Sequence, residues 1–186
     1  AQMKDMVRML DKVLAVSCVS LFANFDNPIR REYYGLPGEY RLPPHGLEYR
    51  TLSNAWLFHP AILNLVFDLA RRCCAFGINE EIRHFWQATE EETINTILTS
   101  DVEQARKIME RNKPVLLSLL KSAYNYNEDC ATVGYNVLFN GMESAIKNPT
   151  DIIGNWKLTG NWSNHCDGSN KSWQNSITAL KGGLKI

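Results

Sequence analysis

The stretch Glu39-Tyr40-Arg41-Leu42-Pro43-Pro44-His45-Gly46-Leu47-Glu48-Tyr49-Arg50 sets the β content of this 186-residue chain. Two segments built from the same few residue types, Glu39 to Leu42 and Leu47 to Arg50, flank Pro-Pro-His-Gly. Gly35, Pro37 and Gly38 punctuate the approach, and Pro43, Pro44 and Gly46 interrupt the middle. Two short extended segments around a turn are the simplest reading. Alternate side chains of a strand share a face. Glu48 and Arg50 therefore point one way, and Leu47, Tyr49 and Thr51 the other.

A carboxylate and a guanidinium side by side after a glycine suit one chemistry well. The carboxylate can hold a Mg²⁺ ion that bridges nucleotide phosphates. The guanidinium can grip a phosphoryl oxygen and stabilise charge that grows in a transition state. Arg30, Arg31 and Arg41 lie close upstream and make the region locally basic. The chain as a whole carries 20 basic and 20 acidic residues, so no global field draws it to nucleic acid or membrane. An anion site in this protein has to be a local cluster.

Helical patterns surround the hairpin. Met3, Met6, Val7, Leu10, Val13 and Leu14 recur at helical spacing, which predicts an amphipathic helix from residue 2 to about 16. Val16 to Phe22 either prolongs it or forms a buried strand. Asn24 to Pro28 reads as a turn. Pro60 suits a first helical turn, and Ile62 to Cys74 predicts a largely buried helix with Arg71 and Arg72 at its basic end. Thr89-x-x-Glu92 and Ser100-x-x-Glu103 read as capping boxes, and Glu90-Glu91-Glu92 suits a first turn. Pro114 opens a further helix with Val115, Leu116, Leu119 and Leu120 on its buried stripe. Another covers part of residues 130–147, and an irregular tail with Trp156, Trp162 and Trp173 follows.

Composition excludes several classes. The run from Val13 to Phe22 is too short to span a bilayer and has no basic flank or cleavage site. Cys18, Cys73, Cys74, Cys130 and Cys166 are odd in number and badly spaced for pairing, so they read as reduced thiols of a cytoplasmic protein. His45, His59, His84 and His165 are scattered, with no H-x-H pair. His165-Cys166 lacks a third metal ligand nearby in sequence. The five tryptophans read as packing anchors, because no basic stripe accompanies them. P-loop, dinucleotide, zinc-knuckle and EF-hand signatures do not occur.

The run Arg30-Arg31-x-x-Tyr34-Gly35-x-x-Gly38-x-Tyr40-Arg41, followed by Gly46-x-Glu48-Tyr49-Arg50-Thr51-Leu52-Ser53-Asn54-x-Trp56, resembles the phage-encoded carboxylate–amine ligases of type two. Those are similar in turn to the glutamine synthetase and glutamate–cysteine ligase superfamily. The resemblance covers about residues 10–75 well and fades by about 125. It implies an α+β fold: part of a glutamine-synthetase-like curved antiparallel sheet packed by helices, followed by a mainly helical C-terminal extension. Residues 1–76 would be the C-terminal half of a ligase-like catalytic domain, 77–150 a helical region, and 151–186 a tryptophan-containing tail.

The same resemblance implies an ATP- and Mg²⁺-dependent ligase that activates a carboxylate as an acyl phosphate for attack by an amine. It places a metal-ligand role on Glu48 and a phosphoryl role on Arg50. Arg30, Arg31 and Arg41 map onto nucleotide-phosphate contacts, and Asn54 onto the substrate or nucleotide pocket; His45 is a substrate-binding candidate from its own position, in the turn before Glu48. The family's N-terminal acidic and histidine-rich strands have no counterpart here, and the chain opens on Ala1-Gln2-Met3. The expectation is therefore half an active site, completed by an upstream segment or a partner chain. The implied setting is host-cell cytoplasm or virion, with small-molecule or peptide substrates, a possible homo-oligomer, and neither nucleic acid nor membrane as partner. A second reading is a structural or interaction protein that keeps a ligase-like fold without the chemistry. A third is a helical binding domain whose Glu48 and Arg50 form only a surface ion pair.

Overall fold

A computed structural model describes residues 2–76, 85–121, 136–141 and 151–152. The first helical pattern forms as expected and continues through the apolar run. Helix α1 (Gln2–Met9) passes into a π-helical segment, Leu10–Ala15, and then into α2 (Val16–Phe22). The wider π turn shows in the Val16 amide, which donates to the Asp11 carbonyl five residues back. Every residue of α2 is buried, so this helix is the central rod of the fold. The apolar all-round pattern that left helix and strand undecided is the mark of that central position.

A short 3-10 turn, Ala23–Phe25, and a second one, Pro28–Glu32, lead out of the rod. Asn27 caps the second, its side chain accepting from the Ile29 amide at 3.0 Å. Strands β1 (Tyr40–Arg41) and β2 (Glu48–Tyr49) then pair antiparallel, with Tyr40 opposite Tyr49 and Arg41 opposite Glu48. The Arg50 amide donates to the Glu39 carbonyl at 2.9 Å and extends the pairing by one bond. The hairpin is thus where the sequence places it, but shorter. It is the whole sheet among the described residues.

Ser53 caps a 3-10 turn, Asn54–Phe58, and α3 (Pro60–Phe76) follows. Ile62, Leu65, Val66, Leu69 and Cys73 face the core, while Phe67 stays 59% exposed. The helix is largely buried, as expected, with one open side. Trp56 packs edge-on against Phe67 there, with ring centroids 5.7 Å apart.

Helices α4 (Glu90–Thr99), α5 (Val102–Arg111) and α6 (Lys113–Lys121) close the core with Ile97, Ile108, Met109, Leu116 and Leu119. Helix α5 packs along α2, and α3 and α4 pack against the π segment. Each such fully buried side chain contributes about 1.5–3 kcal/mol. Trp86 joins this core, as expected of an anchor. A helical segment at 136–140 adds Val137 and Leu138. The other three tryptophans and residues 153–186 lie outside the described residues. The α+β class holds, with helices dominating. No helix among the described residues is long and apolar enough to cross a membrane.

The caps divide the two predicted boxes. Thr89 and Glu92 form the complete reciprocal box, at 3.0 Å in both directions. Ser100 does not cap α5. It ends α4 in the left-handed conformation, φ 52°, and Asp101 caps α5 through the Gln104 amide at 2.9 Å. Ser100 is taken up one position earlier in reversing the chain, which leaves the N-cap position to Asp101, a residue as well suited to it as serine. Thr89→Ala should lower the unfolding free energy by about 1 kcal/mol, read as a denaturant-midpoint shift at unchanged slope. An unshifted midpoint would show the box to be dispensable.

Candidate functional site

The hairpin collects four charges on one face. Glu48 pairs across the ladder with Arg41 at 2.5 Å, and along its own strand with Arg50 at 3.8 Å. Arg50 also reaches Glu39 at 3.0 Å. Glu48 and Arg50 thus share a face, as alternation requires. The quartet is self-neutralised and open to solvent. The Arg41 side chain is 65% exposed and those of Glu48 and Arg50 close to 40%. Exposed pairs of this kind are worth about 0–1 kcal/mol, so the four side chains hold one another only weakly.

The two upstream arginines are placed differently. The Arg30 side chain is only 8% exposed and donates to Asp26 at 2.8 Å, to the Thr51 carbonyl at 2.8 Å and to the Leu52 carbonyl at 3.4 Å. Its guanidinium also lies 5.9 Å from the centre of the Tyr34 ring. Arg31 donates to the Gly35 carbonyl and, at 3.3 Å, to the Ser100 hydroxyl. Burial, then the neighbouring Arg30 charge, pulls the Arg31 guanidinium below its ordinary value. Both therefore brace the loop between α2 and β1. Gly35 completes the brace: its φ is +86°, and a Cβ there would overlap the Arg30 guanidinium.

His45 is exposed in the turn closed by the Gly46 amide on the Pro43 carbonyl at 3.0 Å. Asn54 is exposed at the start of its 3-10 turn. Neither makes a side-chain bond into the quartet among the described residues. Cys18, Cys73 and Cys74 are unlinked thiols. Burial raises the first two far above the ordinary thiol range, which makes them poor nucleophiles. His84, His165, Cys130 and Cys166 lie outside the described residues. No group of three or more His, Cys, Asp or Glu side chains able to hold a metal occurs among the described residues.

On the other face of the hairpin stands a residue that pattern reading passed over. Asp11, in the π segment, is only 7% exposed. Its Oδ1 accepts from the Tyr49 hydroxyl at 2.5 Å and from Thr51 Oγ1 at 3.4 Å, and the carboxylate also accepts from the Gly38 amide. Desolvation outweighs these donors and raises the carboxyl from 3.8 to about 6. The same burial, with Asp11 beside it, pushes the Tyr49 phenol well up. A signal was available in the sequence. Asp11 stands four residues after Val7 and one after Leu10, on the apolar side of the helix.

Fold and charges together define a small, helix-dominated α+β protein that presents a charged hairpin. Residues 2–158 match the model of the phage phiEco32-like COOH.NH2 ligase-type 2 family, and the chain belongs to that family. The match supports carboxylate–amine ligation as its general function. Neither a curated protein nor a solved structure matches the chain.

Proposed function

We propose that the chain carries the phosphate-handling half of an ATP- and Mg²⁺-dependent ligase that joins a carboxylate to an amine through an acyl phosphate. It would form the C-terminal part of a glutamine-synthetase-like site with a curved sheet, completed by an upstream segment or a partner chain, in the host cytoplasm or virion. The observation that carries this reading is the open quartet Glu39, Arg41, Glu48 and Arg50 within a chain of the ligase family. Exposure favours two of the four arginines. Arg41 and Arg50 have displaceable partners and are the phosphate ligands. Arg30 and Arg31 hold the loop that presents them. His45 and Asn54, both exposed, are assigned to the substrate end.

Mg²⁺ commonly takes one or two carboxylates and fills its remaining positions with phosphate oxygens and water. A single open carboxylate, Glu48, fits that pattern, so Glu48 would hold a nucleotide-borne ion. When bound, the ion neutralises phosphate charge. The residues of this chain do the positioning: Arg50 and Arg41 turn from Glu48 to phosphate oxygens and stabilise charge as the phosphoryl group moves.

ATP binding by the whole chain, with and without Mg²⁺, tests these roles. Arg50→Ala should weaken binding by about tenfold or more, the worth of one or two charge-assisted hydrogen bonds. Glu48→Gln should remove the gain from Mg²⁺ yet improve metal-free binding, because both arginines lose their competing carboxylate. Binding that ignores both substitutions would sink the assignment, and no ATP binding at all would favour the interaction-protein reading.

A further inference from the structure

A cleft of about 270 Å³ opens between α1 with its π segment, the loop before β1 and the first turns of α4. Lys4, Arg8 and Lys12 follow one another at helical spacing along one wall, and Asp11 and Glu90 supply the negative charge. Arg8 is already engaged, with Asp5 at 3.9 Å and Glu90 at 3.4 Å. Lys4, exposed, and Lys12, half-buried, both line the cleft and make no ion pair with a described residue. Asp11 offers the complementary feature. Its two oxygens have about four acceptor positions; Tyr49 and Gly38 fill two, while the Thr51 hydroxyl, 3.4 Å away, has its single proton nearer the Leu36 carbonyl at 2.8 Å. Asp11 lines the cleft, so its remaining acceptor capacity can meet a donor there.

The size is at the low end for small-molecule pockets. It offers two lysines without an ion pair among the described residues and one buried carboxylate. A dianion would meet Asp11, and a simple cation would meet the lysines. A molecule with a carboxylate at one end and an ammonium at the other satisfies both. We propose that this cleft binds a free amino acid, with its carboxylate on Lys4 and Lys12 and its ammonium on Asp11. Tyr40 lines the cleft and pairs with Tyr49, so the cleft lies on the opposite side of the hairpin from the Glu48 and Arg50 charges. The site is separate from the nucleotide site proposed above and stands or falls independently of it.

The test is an NMR titration of the whole chain at neutral pH with L-alanine, L-glutamate and L-lysine, and with the N-acetyl and amide forms of whichever binds best. Saturable shifts in the millimolar range are expected for at least one free amino acid. Blocking either end should weaken binding about tenfold, the worth of one charge-assisted hydrogen bond. The Lys4→Gln, Lys12→Gln double variant should weaken the free amino acid equally and leave its amide unchanged. Asp11→Asn should abolish the preference over the N-acetyl form. Because Asp11 also supports the fold, the lysine variant, altered at the cleft wall, is the decisive one. Glu48→Gln should bind the amino acid like the parent chain, whatever it does to ATP. No saturable binding, an N-acetyl form that binds as well as the free one, or indifference to the lysine pair would each overturn the proposal.

Discussion

Arg30→Met is expected to lower the unfolding free energy by about 3–5 kcal/mol, the usual cost of breaking one side of a buried ion pair. Arg30 and Asp26 are both largely withdrawn from water, their side chains 8% and 13% exposed. Removing the guanidinium leaves the Asp26 carboxylate and the Thr51 and Leu52 carbonyls without their donors. Each buried group left unpaired costs about 1–3 kcal/mol, more when charged. Arg41 is the control. Its contact with Glu48 is shorter, 2.5 Å against 2.8 Å, yet its side chain is 65% exposed. Arg41→Met should therefore cost no more than about 1 kcal/mol. Burial, not distance, ranks the two. Urea unfolding reads the difference as a midpoint shift at constant slope. The double change Arg30→Met, Asp26→Leu should recover much of the loss, because no charge is then stranded. Equal midpoints for the Arg30 and Arg41 variants would show that Arg30 does not brace the loop.

That contrast also marks how far the sequence could be read. The hairpin was legible because Pro-Pro-His-Gly separates two like segments, and the period of two then put Glu48 beside Arg50. Helices α1, α3, α4 and α6 were legible from apolar spacing, a Pro start or a cap. The purpose of the arginines was not. Arg30, Arg31 and Arg41 look alike in sequence, but two of them turn inward, because chain reversal after α2 sets Thr51, Leu52 and Gly35 carbonyls around them. Such partners lie up to 22 residues away, beyond any local spacing rule. Gly35 shows the same limit: its place in the motif is explained by the guanidinium lying over it, which no turn rule supplies. The Ser100 box failed by one residue, since Asp101 competes for the same cap. Asp11 was hidden by the opposite error. An apolar stripe draws attention to what fits it, and the one carboxylate within it was the informative residue.

Asp11 should make the protein less stable as the solution is taken from acid to neutral pH. Its carboxyl titrates at about 6 in the folded chain and at 3.8 when unfolded. Between those values the folded chain keeps a proton that the unfolded chain has released. Stability therefore falls as pH rises through that window and is level above it. A difference of about two pH units corresponds to about 3 kcal/mol. The groups facing Asp11 account for the sign. Burial and the Glu90 charge from α4 oppose ionisation, while donors Tyr49, Gly38 and Thr51 favour it and only partly compensate. Other carboxylates also titrate in this range, so the informative quantity is a difference. The unfolding free energy of the parent chain minus that of Asp11→Asn should fall by about 3 kcal/mol from about pH 2 to pH 7, most of it above about pH 4. A level difference would mean that Asp11 ionises as freely as an exposed aspartate. The folded protein accepts this cost because the Tyr49 hydroxyl and the Gly38 amide converge on one carboxylate and fix β2 against the π segment. An ammonium group entering the cleft would favour the ionised form, so a saturating amino acid should flatten the pH-dependent difference. Flattening by the free amino acid but not by its N-acetyl form would tie the buried carboxylate to the ligand's amine.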